Sequence, residues 1–310
     1  MHYRDLGRTG LKVSVLSQGG AAIGQQYGPV SQVEVTKCVL AAIDAGVNLV
    51  DTSAYYGKGR SEEVLGDILQ GGRRERVYLT TKAGRIDVDD FDFSPTAMEH
   101  SLDASLRRLK TDYVDILFAH DIEFANDFEA VFNDTADCLH KLKRKGKCRF
   151  IGMSGLPLSL LQRAIERCDL DAVISYSRYT LQNQSLLNEL LPLAERTGVG
   201  VLNGSPLCLG LLTNQGPPPW HPGWARLKKM AREAARFCAQ RGTDISFLAM
   251  QFCYAQPQIS STITGAAVVH ELEINLRALM TPIDQQLVAE VQEILRPVLN
   301  ETWASGNWKE

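Results

Sequence analysis

The sequence predicts an α/β fold: a (β/α)8 TIM barrel with an N-terminal β-hairpin and extra C-terminal helix and loops. Three observations support this. Strand-like and helix-like stretches alternate along most of the 310 residues. Eight strand candidates can be counted. The length suits one such barrel, which takes about 250 residues, so residues 1–310 are expected to form a single domain.

Taken in order, Tyr3–Leu6 and Leu11–Ser14 flank Arg8-Thr9-Gly10 and predict a hairpin. The barrel strands are then expected at Val15–Gly19, Val47–Thr52, Val77–Lys82, Val114–His120, Arg149–Ser154, Ala172–Ser177, Gly200–Ser205 and Ser260–Gly265. Most are about 25–35 residues apart, the length of a strand plus a crossover helix. Ser94-Pro95 reads as a helix N-cap followed by proline at the first helical position. Met98, Leu102, Leu106 and Leu109 then line one helical face, and Val131, Thr135, Cys138, Leu139 and Leu142 line another. Two stretches exceed the repeat. Thr213–Arg241 contains Gly216-Pro217-Pro218-Pro219-Trp220-His221-Pro222, which reads equally as part of a binding mouth or as a linker. The segment from about Pro282 carries a helix near Ile283–Leu295 and a tail with Trp303 and Trp308. The rival architecture is an open doubly wound sheet, which would place Gly-x-Gly-x-x-Gly after its first strand. Gly19-Gly20-Ala21-Ala22-Ile23-Gly24 lacks that spacing.

Composition excludes several functions. Hydrophobic residues make up 45% and charged residues 22%, ordinary for a soluble globular protein, and the net charge of −3 gives no basic footprint for nucleic acid. The densest basic run, Lys141, Lys143, Arg144, Lys145 and Lys147, falls at a helix end, where cations offset the helix dipole. The seven cysteines are scattered and form no Cys-x-x-Cys pair, so neither a disulfide framework nor a structural metal site is expected. No segment reaches the roughly 18–20 apolar residues of a membrane helix, and the N-terminus has no apolar stretch of signal-peptide type. A cytoplasmic protein with no membrane or nucleic-acid partner is expected. Monomer and homo-oligomer are both left open, because helix faces and subunit interfaces share one apolar code.

The chemistry-bearing residues collect where barrel enzymes build their sites, at the C-terminal ends of strands. Asp51 ends the second strand, Lys82 the third and His120 the fourth, while Tyr56 lies in the loop leaving the second. A lone strand-end histidine or lysine is usually structural; three neighbouring strands each offering an ionisable group at one end point to catalysis. Lys82, held by Asp51, would favour the phenolate and lower the Tyr56 pKa from its usual value of about 10. Tyr56 would then act as proton donor and acceptor, with His120 orienting the substrate oxygen. That set suits carbonyl–alcohol interconversion, and the hydride must come from a cofactor because side chains cannot supply one.

The run Asp51-Thr52-Ser53-Ala54-Tyr55-Tyr56-Gly57 resembles the Asp-Thr-Ala-x-x-Tyr-Gly motif of the aldo-keto reductase family. Thr80-Thr81-Lys82, His120 and the opening Leu6-Gly7-Arg8-Thr9-Gly10-Leu11-Lys12-Val13-Ser14 match in order and spacing, and the likeness covers essentially the whole chain. It implies that Asp51, Tyr56, Lys82 and His120 form a catalytic tetrad with Tyr56 as general acid/base. Longer strings are similar to the plant-type L-galactose dehydrogenase branch of that family, which oxidises an L-sugar to its lactone with NAD. They are His120-Asp121-Ile122-Glu123-Phe124, Gly152-x-Ser154-Gly155-Leu156-Pro157-Leu158, Gly210-Leu211-Leu212-Thr213-Asn214-Gln215-Gly216-Pro217-Pro218 and Thr302-Trp303-x-Ser305-Gly306. The resemblance extends to dehydrogenases of L-fucose, D-arabinose and pyridoxal and, outside enzymes, to cytosolic regulatory subunits of potassium channels.

By the same resemblance, cofactor contacts fall to Asp51, Ser154, Ser175, Ser205, Leu207, Gly265, Glu271 and Asn275. NADP-preferring relatives place a basic residue near position 271; here Glu271 would repel a 2′-phosphate, and no arginine or lysine lies between Ile263 and Leu276. NAD is therefore expected over NADP. Many members place a tyrosine under the nicotinamide just before Ser-Pro-Leu, where this chain has Gly204. A sugar needs polar partners and an aromatic surface, and Tyr55, Tyr56, His120, Trp220 and Trp303 are the substrate-contact candidates, each tryptophan also being readable as ordinary packing.

Overall fold

A computed structural model describes residues 1–309. It opens with an antiparallel hairpin, β1 (Tyr3–Asp5) and β2 (Lys12–Ser14), in which Tyr3 faces Ser14 and Asp5 faces Lys12. The turn is held by Thr9, whose hydroxyl donates to the Leu6 carbonyl at 2.6 Å and accepts from the Leu11 amide at 3.1 Å. The barrel strands follow: β3 (Leu16–Gly19), β4 (Leu49–Asp51), β5 (Tyr78–Ala83), β6 (Val114–Ala119), β7 (Cys148–Gly155), β8 (Ala172–Tyr176), β9 (Gly200–Gly204) and β10 (Ser261–Thr264). These eight are parallel and close into a barrel in sequence order, β10 pairing back onto β3. Each sits within about two residues of its expected span, the usual uncertainty of element ends.

Helices separate the strands: α1 (Gln32–Asp44), α2 (Arg60–Ile68), α3 (Pro95–Leu109), α4 (Phe128–Ala130), α5 (Ala136–Arg144), α6 (Leu158–Arg167), α7 (Ser185–Glu189), α8 (Leu191–Thr197), α9 (Ala225–Gln240), α10 (Ile245–Ala255), α11 (Val269–Met280) and α12 (Gln285–Leu295). Ser94 caps α3 as its sequence requires, its hydroxyl accepting from the Ala97 amide at 3.3 Å. The face Val131, Thr135, Cys138, Leu139 and Leu142 is buried, but it begins with a wide π-helical turn over Val131–Thr135 before α5. That turn lets the Thr135 hydroxyl reach the Phe93 carbonyl at 2.7 Å, a distant contact with no trace in the periodicity. The basic run ends α5 and is paired outward, Lys143 with Asp171 at 2.6 Å and Lys147 with Asp103 at 2.5 Å.

The stretch beyond the repeat, Thr213–Arg241, holds a loop followed by α9. That helix packs against α12, with Leu227, Ala231 and Ala234 meeting Leu287, Val291 and Leu295 in an apolar cluster outside the barrel. Inside the barrel, Leu49, Ile116, Phe118, Ala172, Ile174, Leu202 and Ile263 form one core with Leu6, Leu11 and Val13 of the hairpin region. The hairpin region therefore covers the end of the barrel where the strands begin. Among the described residues, no helix is long and apolar enough to cross a membrane, no group of acidic, histidine and cysteine side chains could hold a metal, and all seven cysteines are buried and unpaired.

Candidate active site

Side chains alternate along a strand, so a residue two places beyond an interior apolar side chain also faces inward. Leu49 and Phe118 lie in the interior core, which directs Asp51 and His120 into the mouth; Asp51 is in register with Thr80, two places before Lys82. Tyr56 is brought in by the loop after β4. Gly24, in the loop after β3, lets that chain lie against it: a Cβ there would stand 2.6 Å from the Tyr56 carbonyl carbon. The Gly19–Gly24 run thus serves a close backbone approach.

The four groups converge. Lys82 Nζ donates to Asp51 Oδ2 at 2.7 Å, to the Thr52 carbonyl at 2.8 Å and to the Tyr56 hydroxyl at 3.3 Å. Asp51 Oδ1 accepts from the Thr80 hydroxyl at 2.7 Å. The Tyr56 and His120 rings meet edge-on with centroids 5.8 Å apart. Ser53 Oγ shares a hydrogen bond of 2.9 Å with His120 Nδ1, leaving Nε2 on the other side, 3.7 Å from Asp121 Oδ2. Asp121 is held at 2.6 Å by Arg85, whose guanidinium lies 3.8 Å from the centroid of the Tyr55 ring.

Burial sets the electrostatics. It pushes the Tyr56 phenol up to about 12, outweighing the opposing charge of Lys82, while Asp51 and Asp121 push it further. This corrects the expectation that Lys82 would leave Tyr56 acidic: the cation is present, but desolvation of the phenolate wins. Burial also drives His120 down to about 3, helped by Lys82 and Arg85 against Asp121, so its ring is neutral at neutral pH. Lys82 is pulled down by burial, yet Asp51 and Tyr56 together leave it above its ordinary value, and it stays cationic.

The remaining expected site residues spread around the rim. Ser154 is buried beside the His120 loop, its hydroxyl accepting from the Asp121 amide at 3.0 Å. Ile174 and Tyr176 share the inner face of β8, so Ser175 between them takes the outer face. Its hydroxyl is buried without a hydrogen-bond partner, and the structure does not bring it to the tetrad. Ser205 and Leu207 lie in the loop after β9, where Ser205, Cys208 and Leu209 all adopt left-handed backbone, with φ of 51°, 51° and 53°. Gly265 is exposed just past β10. Glu271 stands in the first turn of α11, where its carboxylate accepts the Ala267 amide at 2.8 Å, and Asn275 is buried one turn later. Of the aromatic candidates, Tyr55 stands at the tetrad, edge-on to Tyr56 and His120. Trp220 is exposed with Tyr27 as its ring partner, and Trp303 packs edge-on to His221. The sequence reading gave no role to Ser53, Thr80, Arg85, Asp121 or Tyr176. Parity could have found two of them, since Ser53 lies two residues beyond Asp51 and Tyr176 two beyond Ile174.

Comparison with known proteins gives the family and the fold. The profile of the aldo/keto reductase family matches residues 15–296. An L-galactose dehydrogenase of Arabidopsis thaliana is 41% identical, over 98% of this chain and 97% of its own. A D-arabinose 1-dehydrogenase of Saccharomyces cerevisiae is 31% identical, over 95% and 94%. The solved structure of an aldo-keto reductase from Bacillus halodurans superposes with a TM-score of 0.80 at 22% identity, covering 99% of both chains.

Proposed function

Since this chain belongs to the aldo/keto reductase family, we propose that it oxidises C1 of an L-sugar, L-galactose first, to the lactone, with NAD as hydride acceptor. The observation that carries this reading is the buried chain Asp51–Lys82–Tyr56 with His120 beside the phenol. The 41% identity to the Arabidopsis L-galactose dehydrogenase supports the substrate, and the yeast D-arabinose 1-dehydrogenase favours a second reading in which another aldose is oxidised at C1.

The mouth fits a nicotinamide cofactor. Gly265 is exposed just past β10, and α11 opens with no side-chain hydrogen bond at its N-cap, which suits a pyrophosphate. Ser154, Ser205, Leu207, Gly265 and Asn275 would hold it; Ser175, on the outer face of β8, would not touch it. When bound, an oxidised nicotinamide would supply the hydride acceptor. Glu271, held by the Ala267 amide, would repel a 2′-phosphate at this helix start and so favour NAD over NADP.

The chain's own groups handle the proton. Asp51 anchors Lys82, and Lys82 holds the Tyr56 oxygen by a hydrogen bond. Tyr56 rests as a phenol, ready to give a proton; to take one from the sugar hydroxyl it must first release its own to water, a loss that Lys82 favours. His120, neutral and fixed by Ser53, orients the same substrate oxygen. Tyr55, backed by Arg85, offers an aromatic wall. Seven unpaired buried cysteines suit a reducing, cytoplasmic setting. The test is a panel of aldoses with NAD, scored by formation of reduced cofactor and by lactone. Lactone from L-galactose supports the first reading, lactone only from another aldose the second, and none from any sugar refutes both.

A further inference from the structure

A second buried acid lies close to the tetrad without belonging to it. Glu123 is 0% exposed, three residues beyond His120. Its Oε1 accepts from the Tyr176 hydroxyl at 2.7 Å, the Ser305 hydroxyl at 3.1 Å and the Leu156 amide at 3.1 Å. Its backbone carbonyl accepts the Asn307 amide at 2.6 Å. Gly306 is required there, since a Cβ would fall 2.1 Å from the same carbonyl oxygen. Four segments therefore meet at this residue: the His120 loop, the end of β7, the end of β8 and the C-terminal tail.

The tail is tied on both sides of that point. Gln182, in the loop after β8, donates to the carbonyls of Val298 at 2.7 Å and Glu301 at 3.0 Å. Beyond it, the Trp308 indole donates to the Ser159 hydroxyl at 2.9 Å and its ring meets Phe128 edge-on at 4.8 Å. The tail thus spans the rim from the β8 side to the β6–β7 side. At its middle stands a carboxylate whose other oxygen, Oε2, has no hydrogen-bond partner. A buried unpartnered carboxylate oxygen is costly, and a neutral apolar residue would be cheaper if packing were its only task.

We propose that Glu123 is a positioning residue: it ties Tyr176 and the C-terminal tail to the rim beside His120, and the substrate pocket is complete only while that tie holds. This rests on the proposed sugar oxidation for its kinetic consequence and on geometry alone for the tie. The groups facing the carboxylate are the Tyr176 hydroxyl from β8, the Ser305 hydroxyl from the tail, the Leu156 amide after β7, and the Asp121 carboxylate from its own loop, which is paired with Arg85 after β5. Burial, then the charge of Asp121, raises Glu123 to about 7 against the opposing bonds from Tyr176 and Leu156. With Tyr56 raised to about 12 and His120 lowered to about 3, Glu123 is the member of this neighbourhood that titrates near neutrality.

The experiment compares wild type, Glu123→Ala, Glu123→Gln and a chain truncated after Asn300. Glu123→Ala and the truncation are each expected to raise KM for the sugar about tenfold while kcat stays within about threefold and NAD affinity is unchanged. Glu123→Gln, which mimics the neutral acid, is expected to restore KM and to remove any step in kcat/KM near pH 7. Tail docking is read separately, by hydrogen exchange of residues 301–309. Faster exchange in Glu123→Ala supports the tie even if no sugar is turned over, an outcome that would sink the sugar reading alone. Unchanged exchange, an unchanged KM despite tail release, or an equal fall of kcat and NAD affinity would each overturn the proposal.

Discussion

The two ends of the barrel are built from the same strands and carry opposite chemistry. Leu49 precedes Asp51 by two residues, Phe118 precedes His120, and Ile174 precedes Tyr176; the first of each pair lies in the apolar core and the second in the polar mouth. At the starting end, Leu6, Leu11 and Val13 close the floor. At the finishing end, Asp51, Lys82 and His120 are almost as deeply buried, at 2%, 3% and 4% exposed. Burial at the floor stabilises by removing apolar area from water, whereas burial at the mouth costs free energy and shifts protonation. Position along a strand, rather than depth, therefore separates apolar packing from the polar candidate site.

Substitutions can break that contrast, and the largest effect belongs to the mouth. Tyr56→Phe is expected to cut turnover by about 10²–10⁴-fold, the usual worth of a positioned acid/base, with NAD affinity and melting temperature nearly unchanged. Steady-state kinetics beside calorimetry measure both, and near-normal turnover would remove Tyr56 from its role. At the floor the pattern should invert. Leu49→Ala is expected to cost about 2–5 kcal/mol of stability with kcat intact while the protein is folded, as denaturant unfolding would record.

Smaller effects sharpen the comparison within the mouth itself. Glu271→Arg is expected to improve the ratio of NADP to NAD efficiency by about tenfold, the worth of one charge-assisted hydrogen bond to phosphate; an unmoved ratio would place selectivity elsewhere. The smallest concerns Glu123. Its folded value of about 7 lies above its ordinary 4.5, so the folded state holds a proton that the unfolded state has released. Its contribution to stability is then fully present below the ordinary value, declines as pH rises towards about 7, and is level above that. Glu123→Gln should flatten this slope in melting temperature against pH, and an identical slope would mean that another group titrates there.

How far the sequence could be read follows the same division. Strand-end placement put Asp51, Lys82 and His120 on one rim, because alternation of strands and helices is a local signal. The hairpin and α3 were equally legible, from Arg8-Thr9-Gly10 and from Ser94-Pro95. What depended on the closed fold was hidden. The Tyr56 pKa turns on how completely the barrel excludes water, and the charge of Lys82 alone gave the wrong sign. The direction of Ser175 depends on strand register, where a slip of one residue exchanges the two faces. The meeting of Glu123 with Ser305, 182 residues apart, had no local trace beyond the strings that contain them.

The most direct test follows the hydrogen that leaves the sugar. With L-galactose deuterated at C1 and saturating NAD, the account requires slower single-turnover cofactor reduction than with the unlabelled sugar, and the label recovered in the reduced nicotinamide. Reduced cofactor that carries no label, formed at the unlabelled rate, would contradict hydride transfer from C1 and the role assigned to the mouth.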